Sequence, residues 1–178
     1  MVVGCCTLAL LAYGQNQVSE HAVKAAYLFN FRKFVRFTPS DTIKSRQSFD
    51  ICIVGKDAFG HSLDELTADE QLDGKPIRIL RVKSAAEAHD CAIAFISASE
   101  GAHVWPDLET LRGQEVLTVS DAADFLQHGG MIQFVTVDNH VRFAVNLEAA
   151  RGAQLSLSSE LLRVAISVNG DASPGLRP

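Results

Sequence analysis

Six histidines, at positions 21, 61, 89, 103, 128 and 140, are the first places to look for proton transfer or metal binding. None stands in an H-E-x-x-H or comparable pair, so no two are set at a ligand spacing on one helix face. Acids occur close together at Asp64-Glu65, at Asp69-Glu70 and at Asp107 with Glu109. On helices such neighbours form solvated faces more often than acid/base dyads. No Gly-x-Ser-x-Gly elbow is present, so a serine hydrolase has no anchor. The stretch Gly55-Lys56-Asp57-Ala58-Phe59-Gly60 follows an apolar run and opens an amphipathic one, where doubly wound folds cradle phosphate. Its two glycines, five positions apart, match neither the dinucleotide fingerprint nor the P-loop. A strand-to-helix turn capped by Asp57 is the simpler reading. The sequence therefore supplies no catalytic constellation, and neither a catalytic residue, a metal nor a cofactor is expected.

The four cysteines divide by position. Residues 2–12 are apolar, small and uncharged, and Ala12-Tyr13-Gly14 places small residues three and one before a cut. That is the core and cleavage pattern of a secretory signal peptide, and it is too short to span a bilayer as a mature helix. No Lys or Arg precedes Lys24, so the positive leader is missing, as a truncated start would produce. With residues 1–14 removed, Cys5 and Cys6 leave and Cys52 and Cys91 remain. An even pair in an exported chain favours a disulfide. Closing that loop would stabilise the fold by about 4 kcal/mol on the chain-entropy model. Two buried thiols are one alternative. A metal site of His89, Cys91 and Cys52 is another, although the triplet lacks the paired ligand spacing of zinc sites.

The formal net charge is −5, and basic residues are scattered apart from Arg32, Lys33 and Arg36. Nucleic acid is excluded as a partner on that balance, because phosphate backbones need clustered Lys and Arg. No later run of 18 apolar residues exists, so no second span is expected.

The elements that would position these residues follow from periodicity. Residues 18–37 read as a helix capped by Ser19, with Leu28, Phe31 and Val35 on one face and Thr38-Pro39 as its stop. Residues 40–47 are a polar loop. Apolar runs at 49–54 and 91–96 read as buried strands, and 77–82 and 116–119 as further strands. Between them lie an amphipathic helix at 61–72, a short helix at 84–89 capped by Ser84, and another at 106–111 preceded by Trp105 in a loop. A helix capped by Ser120 or Asp121 runs to 127 and ends at Gly129-Gly130. Residues 131–137 and 140–145 then alternate around Asp138-Asn139, a two-residue hairpin signal. Residues 158–168 form a last helix with Leu161, Leu162, Ala165 and Ile166 inward, and 169–178 a disordered tail. The fold class is α/β: a mostly parallel sheet flanked by helices and closed by a C-terminal antiparallel hairpin, one domain over residues 15–168. Neighbouring strands lie about 4.8 Å apart and next-but-one strands near 10 Å, so a Cys52–Cys91 bond within the sheet requires a 2-1-3 strand order.

Taken in order, these segments resemble the YfiR family. The resemblance runs through the segment Val23 to Phe31, then Phe34-Val35-Arg36-Phe37-Thr38-Pro39, Ile51-Cys52-Ile53-Val54-Gly55 and Cys91-Ala92-Ile93-Ala94-Phe95-Ile96-Ser97. It continues with Leu117-Thr118-Val119-Ser120-Asp121, Gly129-Gly130-Met131-Ile132, Val141 to Leu147 and Leu161-Leu162-Arg163. It implies a periplasmic, usually dimeric protein that represses an inner-membrane diguanylate cyclase by binding its periplasmic domain, lowering cyclic di-GMP and biofilm formation. An outer-membrane lipoprotein that sequesters the repressor is also implied. Cys52 and Cys91 match positions disulfide-bonded in the family. A second cysteine pair of some relatives has no counterpart around 126–134, and Phe37 stands where many members have Trp. For the partner surface the candidates are Arg142 and Asn146, at the family's most recognisable polar positions, and Trp105 as an aromatic anchor. Asn146 has a structural alternative, satisfying backbone groups in its turn. The rival function is a small-molecule binder or enzyme using the crevice near Gly55 and Gly60.

Overall fold

The structure is a computed structural model, and it describes residues 19–37 and 46–170. The expected signal peptide, most of the 40–47 loop and the tail beyond residue 170 lie outside the described residues.

Helix α1 (Glu20–Phe31) begins where Ser19 Oγ accepts the Ala22 amide hydrogen bond, as its cap position predicts. Strand β1 (Val35–Phe37) follows, then β2 (Phe49–Val54), α2 (His61–Thr67), β3 (Gln71–Leu72) and β4 (Lys75–Val82). Next come β5 (Ile93–Ile96), α3 (Val104–Thr110), β6 (Leu117–Ser120) and the hairpin β7 (Ile132–Val137) and β8 (His140–Asn146). The chain closes with α4 (Leu147–Gly152), β9 (Leu155–Leu157), α5 (Ser159–Val164) and β10 (Ser167–Asn169).

Eight strands form the main sheet in the order β10-β8-β7-β6-β5-β2-β4-β3. Only β7 with β8 and β3 with β4 run antiparallel. The order β4-β2-β5 matches the expected 2-1-3 arrangement, and Cys52 and Cys91 are disulfide-bonded with Cα atoms 6.0 Å apart. Cys91 lies just before β5 and not in it, however, so the bond joins β2 to the approach to a neighbouring strand. In β2, β5 and β6 nearly every residue is buried because helices cover both faces. Ile51, Ile53, Ile93, Phe95, Leu117 and Val119 point to one face, under α1 and α2. Cys52, Val54, Ala94 and Ile96 point to the other, under α3 and its preceding turns. The hairpin turns through Asp138 and Asn139, whose φ angles are both positive, at 48° and 59°. A type I′ turn requires that conformation at both central residues.

Several boundaries differ from the periodicity. The first helix ends at Phe31, not 37: Lys33 and Phe34 amides bond back to Asn30 and Phe31 carbonyls in a tight turn. Val35 and Phe37 then pair antiparallel with Leu157 and Leu155, a two-stranded sheet that three residues of alternation could not announce. The 61–72 helix stops at Thr67, and Asp69 takes a positive φ of 60°. The Thr67 hydroxyl bonds back to the Leu63 carbonyl, a competition that weakens a helix end. Residues 84–89 make one 3₁₀ turn, without a hydrogen bond from the Ser84 side chain. Between β6 and β7 there are turns in place of a helix, because Asp124 adopts φ 60° and the Gly130 amide closes onto Phe125. The final helix ends at Val164, and the chain re-extends as β10 beside β8. Ile166 is consequently half exposed and not inward.

Candidate functional site

The crevice expected near Gly55 and Gly60 exists at the C-terminal ends of β2, β5 and β6, a cleft of about 630 Å³ bordered by Lys56, Asp57, Ser97, Ser99 and Asp121. Gly55 has φ 81°, and a Cβ there would collide with the Glu100 side chain. Only glycine lets that carboxylate approach the backbone so closely. Glu100 Oε1 accepts the Lys56 amide at 2.9 Å. Asp57 Oδ1 accepts the Phe59 and Gly60 amides, at 2.7 and 3.2 Å. This is an Asx turn rather than a helix cap, since α2 has no side-chain cap. Asp121 Oδ1 accepts the Ala98 amide at 2.9 Å. The backbone donors that an anionic ligand would use are thus already bonded to the protein's own carboxylates.

The cations nearby are likewise engaged. Lys24, buried in α1, bonds Asp121 at 2.8 Å and Glu20 at 2.7 Å. Burial opposes its charge, but these two carboxylates outweigh burial and hold the ammonium above its ordinary value. Arg81 bonds Asp64 at 2.6 Å and Asp57 at 2.8 Å, and both carboxylates hold its guanidinium well above the usual arginine value. Among the described residues, no group of three His, Cys, Asp or Glu side chains could hold a metal. His89, offered as a ligand beside Cys91 and Cys52, instead faces Asp90 at 3.0 Å, while both cysteines are consumed by their bond.

A different surface lies across α1 and β8. A cleft of about 710 Å³ is bordered by Glu20, Tyr27, Asn139, His140 and Arg142. It shares Val23 and Tyr27 with an apolar groove of about 280 Å³ that includes Phe31, Phe34, Phe143, Leu161 and Val164. Tyr27, Phe31, Phe34 and Phe143 supply the aromatic lining of this groove. Tyr27 stands edge-on to Phe143 with centroids 5.4 Å apart, and Phe31 edge-on to Phe143 at 5.3 Å. Edge-to-face rings of this kind are a favoured aromatic packing. Val164 is 63% exposed and Ile166 50%, large apolar side chains left in water beside the groove. The arrangement offers an apolar trough with a cationic rim at Arg142, whose bond to the Val141 carbonyl is long at 3.4 Å. Its apolar and aromatic lining is suited to binding.

The three residues singled out for partner contact are not brought together. Arg142 borders the cleft beside α1. Asn146 caps α4, its Oδ1 accepting the Ala149 amide at 3.0 Å and its Nδ2 donating to the Leu126 carbonyl at 3.1 Å. Trp105 lies within α3 and not in a loop, half-buried against the opposite core and stacked on His128 with ring centroids 4.0 Å apart. In the sequence, the groove residues Leu161 and Val164 are legible only as part of a helix. The exposure of Val164 follows from the end of α5, which periodicity places too late.

The comparisons with known proteins agree with this architecture. A crystal structure of a conserved domain protein from Vibrio cholerae superposes with a TM-score of 0.57 at 10% identity, covering 85% of this chain and 60% of that one. That likeness concerns the fold, and this chain spans less than two thirds of the other's length. The ABC domain in complex with L-Trp from Streptococcus pneumonia superposes at a TM-score of 0.49 and 12% identity, covering 83% of this chain and 60% of that one, too distant to bear on the site. No curated protein matches the chain. With the fold, the disulfide and the order of segments in agreement, the family model that matches residues 21–166 decides the matter: the chain belongs to the YfiR/HmsC-like family.

Proposed function

We propose that this protein is a periplasmic regulator that represses an inner-membrane diguanylate cyclase by binding the cyclase's periplasmic domain, lowering cyclic di-GMP and biofilm formation. Family membership supports the class. The groove between α1 and α5 carries the reading at the level of residues: exposed Val164 and Ile166 beside an aromatic bed are what a docking face needs. Arg142 on the rim supplies orientation and Trp105 a secondary anchor elsewhere, whereas Asn146 acts through the backbone it caps. Repression requires preferential binding to the off state, by about 5.5 kcal/mol for a 99:1 reversal of the population. A homodimer, and sequestration by an outer-membrane lipoprotein, complete the proposal. No helix among the described residues is long and apolar enough to cross a membrane.

The rival, a small ligand or substrate in the crevice near Gly55 and Gly60, has less support because that crevice's backbone donors are bonded internally. Calorimetry of the oxidised protein with the periplasmic domain of such a cyclase tests the proposal. Saturable binding at micromolar affinity or better is expected, with Val164→Asp weakening it at least tenfold while the melting temperature stays unchanged. No complex between two folded partners would sink the regulatory reading.

A further inference from the structure

The sequence sets Arg32, Lys33 and Arg36 within one short stretch. The fold adds Arg46 and Lys75, and all five border one cleft of about 510 Å³. The cleft lies at the N-terminal ends of β2 and β4, the end of the sheet opposite the crevice, with Ser48 and Phe49 on its wall. Among the described residues Asp73 is the one carboxylate that borders it. Its apolar side is built on Val35 and on Phe37, which packs edge-on to Phe49 at 6.0 Å. A chain with a net charge of −5 thus concentrates positive charge in one cavity.

Two of these cations are incompletely satisfied. The Arg32 side chain is only 4% exposed; its Nη2 bonds Glu70 at 2.9 Å and its guanidinium lies 3.8 Å above the Phe29 ring, yet its buried Nε has no hydrogen-bond partner among the described residues. The Nε of Arg46 is likewise buried and has no partner among the described residues. Burial pushes the Arg46 guanidinium below its ordinary value, against the pull of Asp90, Glu115 and Asp50. A buried charged donor without an acceptor is costly, and both guanidiniums border the cleft, so an anion seated there would offset their charge where water screens it little.

We propose that this cleft binds a small phosphate-bearing molecule, a monoester or a diphosphate. Guanidinium forks match phosphate oxygens in geometry, and five bordering cations, offset in part by Asp73 and by Glu70 on Arg32, favour a multiply charged group over a lone carboxylate. The volume falls in the range of about 300–1,000 Å³ that suits a small organic ligand, with Phe37 and Phe49 to pack its uncharged part. The site is independent of the groove proposed for the protein partner.

The probe is pyrophosphate, titrated calorimetrically into the oxidised full chain in a phosphate-free, low-salt buffer. One site per chain is expected, weakened several-fold as salt rises from about 50 to about 200 mM, because added ions screen the cleft. The double variant R36Q/R46Q should weaken it at least tenfold, and Arg46→Lys by less, since it keeps the charge and loses the fork. Lys56→Gln, at the opposite end of the sheet, should leave it unchanged. Thermal melts of each variant separate lost binding from lost folding; Arg36 is exposed, and its replacement should leave the melt in place. Absence of a saturable phase, binding indifferent to R36Q/R46Q, or citrate binding as tightly as pyrophosphate would overturn the proposal.

Discussion

The two ends of the central strand β2 carry two polar cavities of similar size and opposite accounting. At its C-terminal end the crevice is closed on itself: Glu100, Asp57 and Asp121 take the backbone donors, and Lys24 and Arg81 neutralise Asp121 and Asp57. At its N-terminal end the cleft is bordered by Arg32 and Arg46, whose buried Nε atoms lack acceptors among the described residues. A cavity's position in the fold therefore does not decide its use. The crevice occupies the place where α/β sheets usually bind ligands, yet its polar groups are satisfied by the chain. Groups left without partners are the better guide.

The largest effect should come from loosening the strand that both ends share. Cys52 sits in the middle of β2, and its bond to Cys91 closes a loop across a sequence separation of 39 residues. Replacing both cysteines by serine should lower unfolding free energy by about 4 kcal/mol, read by urea denaturation against the oxidised protein. A variant that melts, and represses a cyclase, as the parent does would deny the bond its structural role.

Gly55→Ala tests the crevice alone. The substitution forces a Cβ into a left-handed conformation and displaces the Glu100 carboxylate from the Lys56 amide. A loss of about 1–2 kcal/mol is expected, with pyrophosphate binding at the far cleft intact. Equal damage to that binding would mean that the two ends are not separable.

The smallest effect is on pH dependence. Against burial, Asp121 and Glu20 hold the folded Lys24 ammonium above its ordinary value of 10.5. Its contribution is therefore fully present below that ordinary value and is lost as pH rises through the elevated folded one. Lys24→Met should flatten the alkaline limb of a stability–pH curve measured by thermal melting. An unchanged limb would show that the ammonium gains nothing from the two carboxylates.

Much of the sheet is legible in the sequence because its strands carry their own signal. Residues 49–54 are apolar but for Asp50, a pattern that suits a strand covered on both faces, and β2 has those bounds. Asp138-Asn139 between alternating runs identifies the hairpin because both residues accept positive φ. The adjacency of β2 and β5 matches the order expected from the cysteine pair, although Cys91 lies just before β5 and not in it. The short elements are not legible. Strands β1, β9 and β10 are three residues each, so their pairing is dictated by partners distant in sequence rather than by any periodicity of their own. Ile166 reads as inward on a helix that in fact ends two residues earlier.

The α/β class, the central strands, the hairpin and the disulfide are written into the chain itself, because each rests on local patterning or on one distance constraint. Which polar groups meet is settled by tertiary contact alone. Arg46 joins Arg32 and Arg36 around one cleft across a stretch of intervening chain, and Glu100 reaches the Lys56 amide across a separation of 44 residues. No local pattern encodes such contacts, since charge and hydrogen bonding act through space and the chain's path sets the distances.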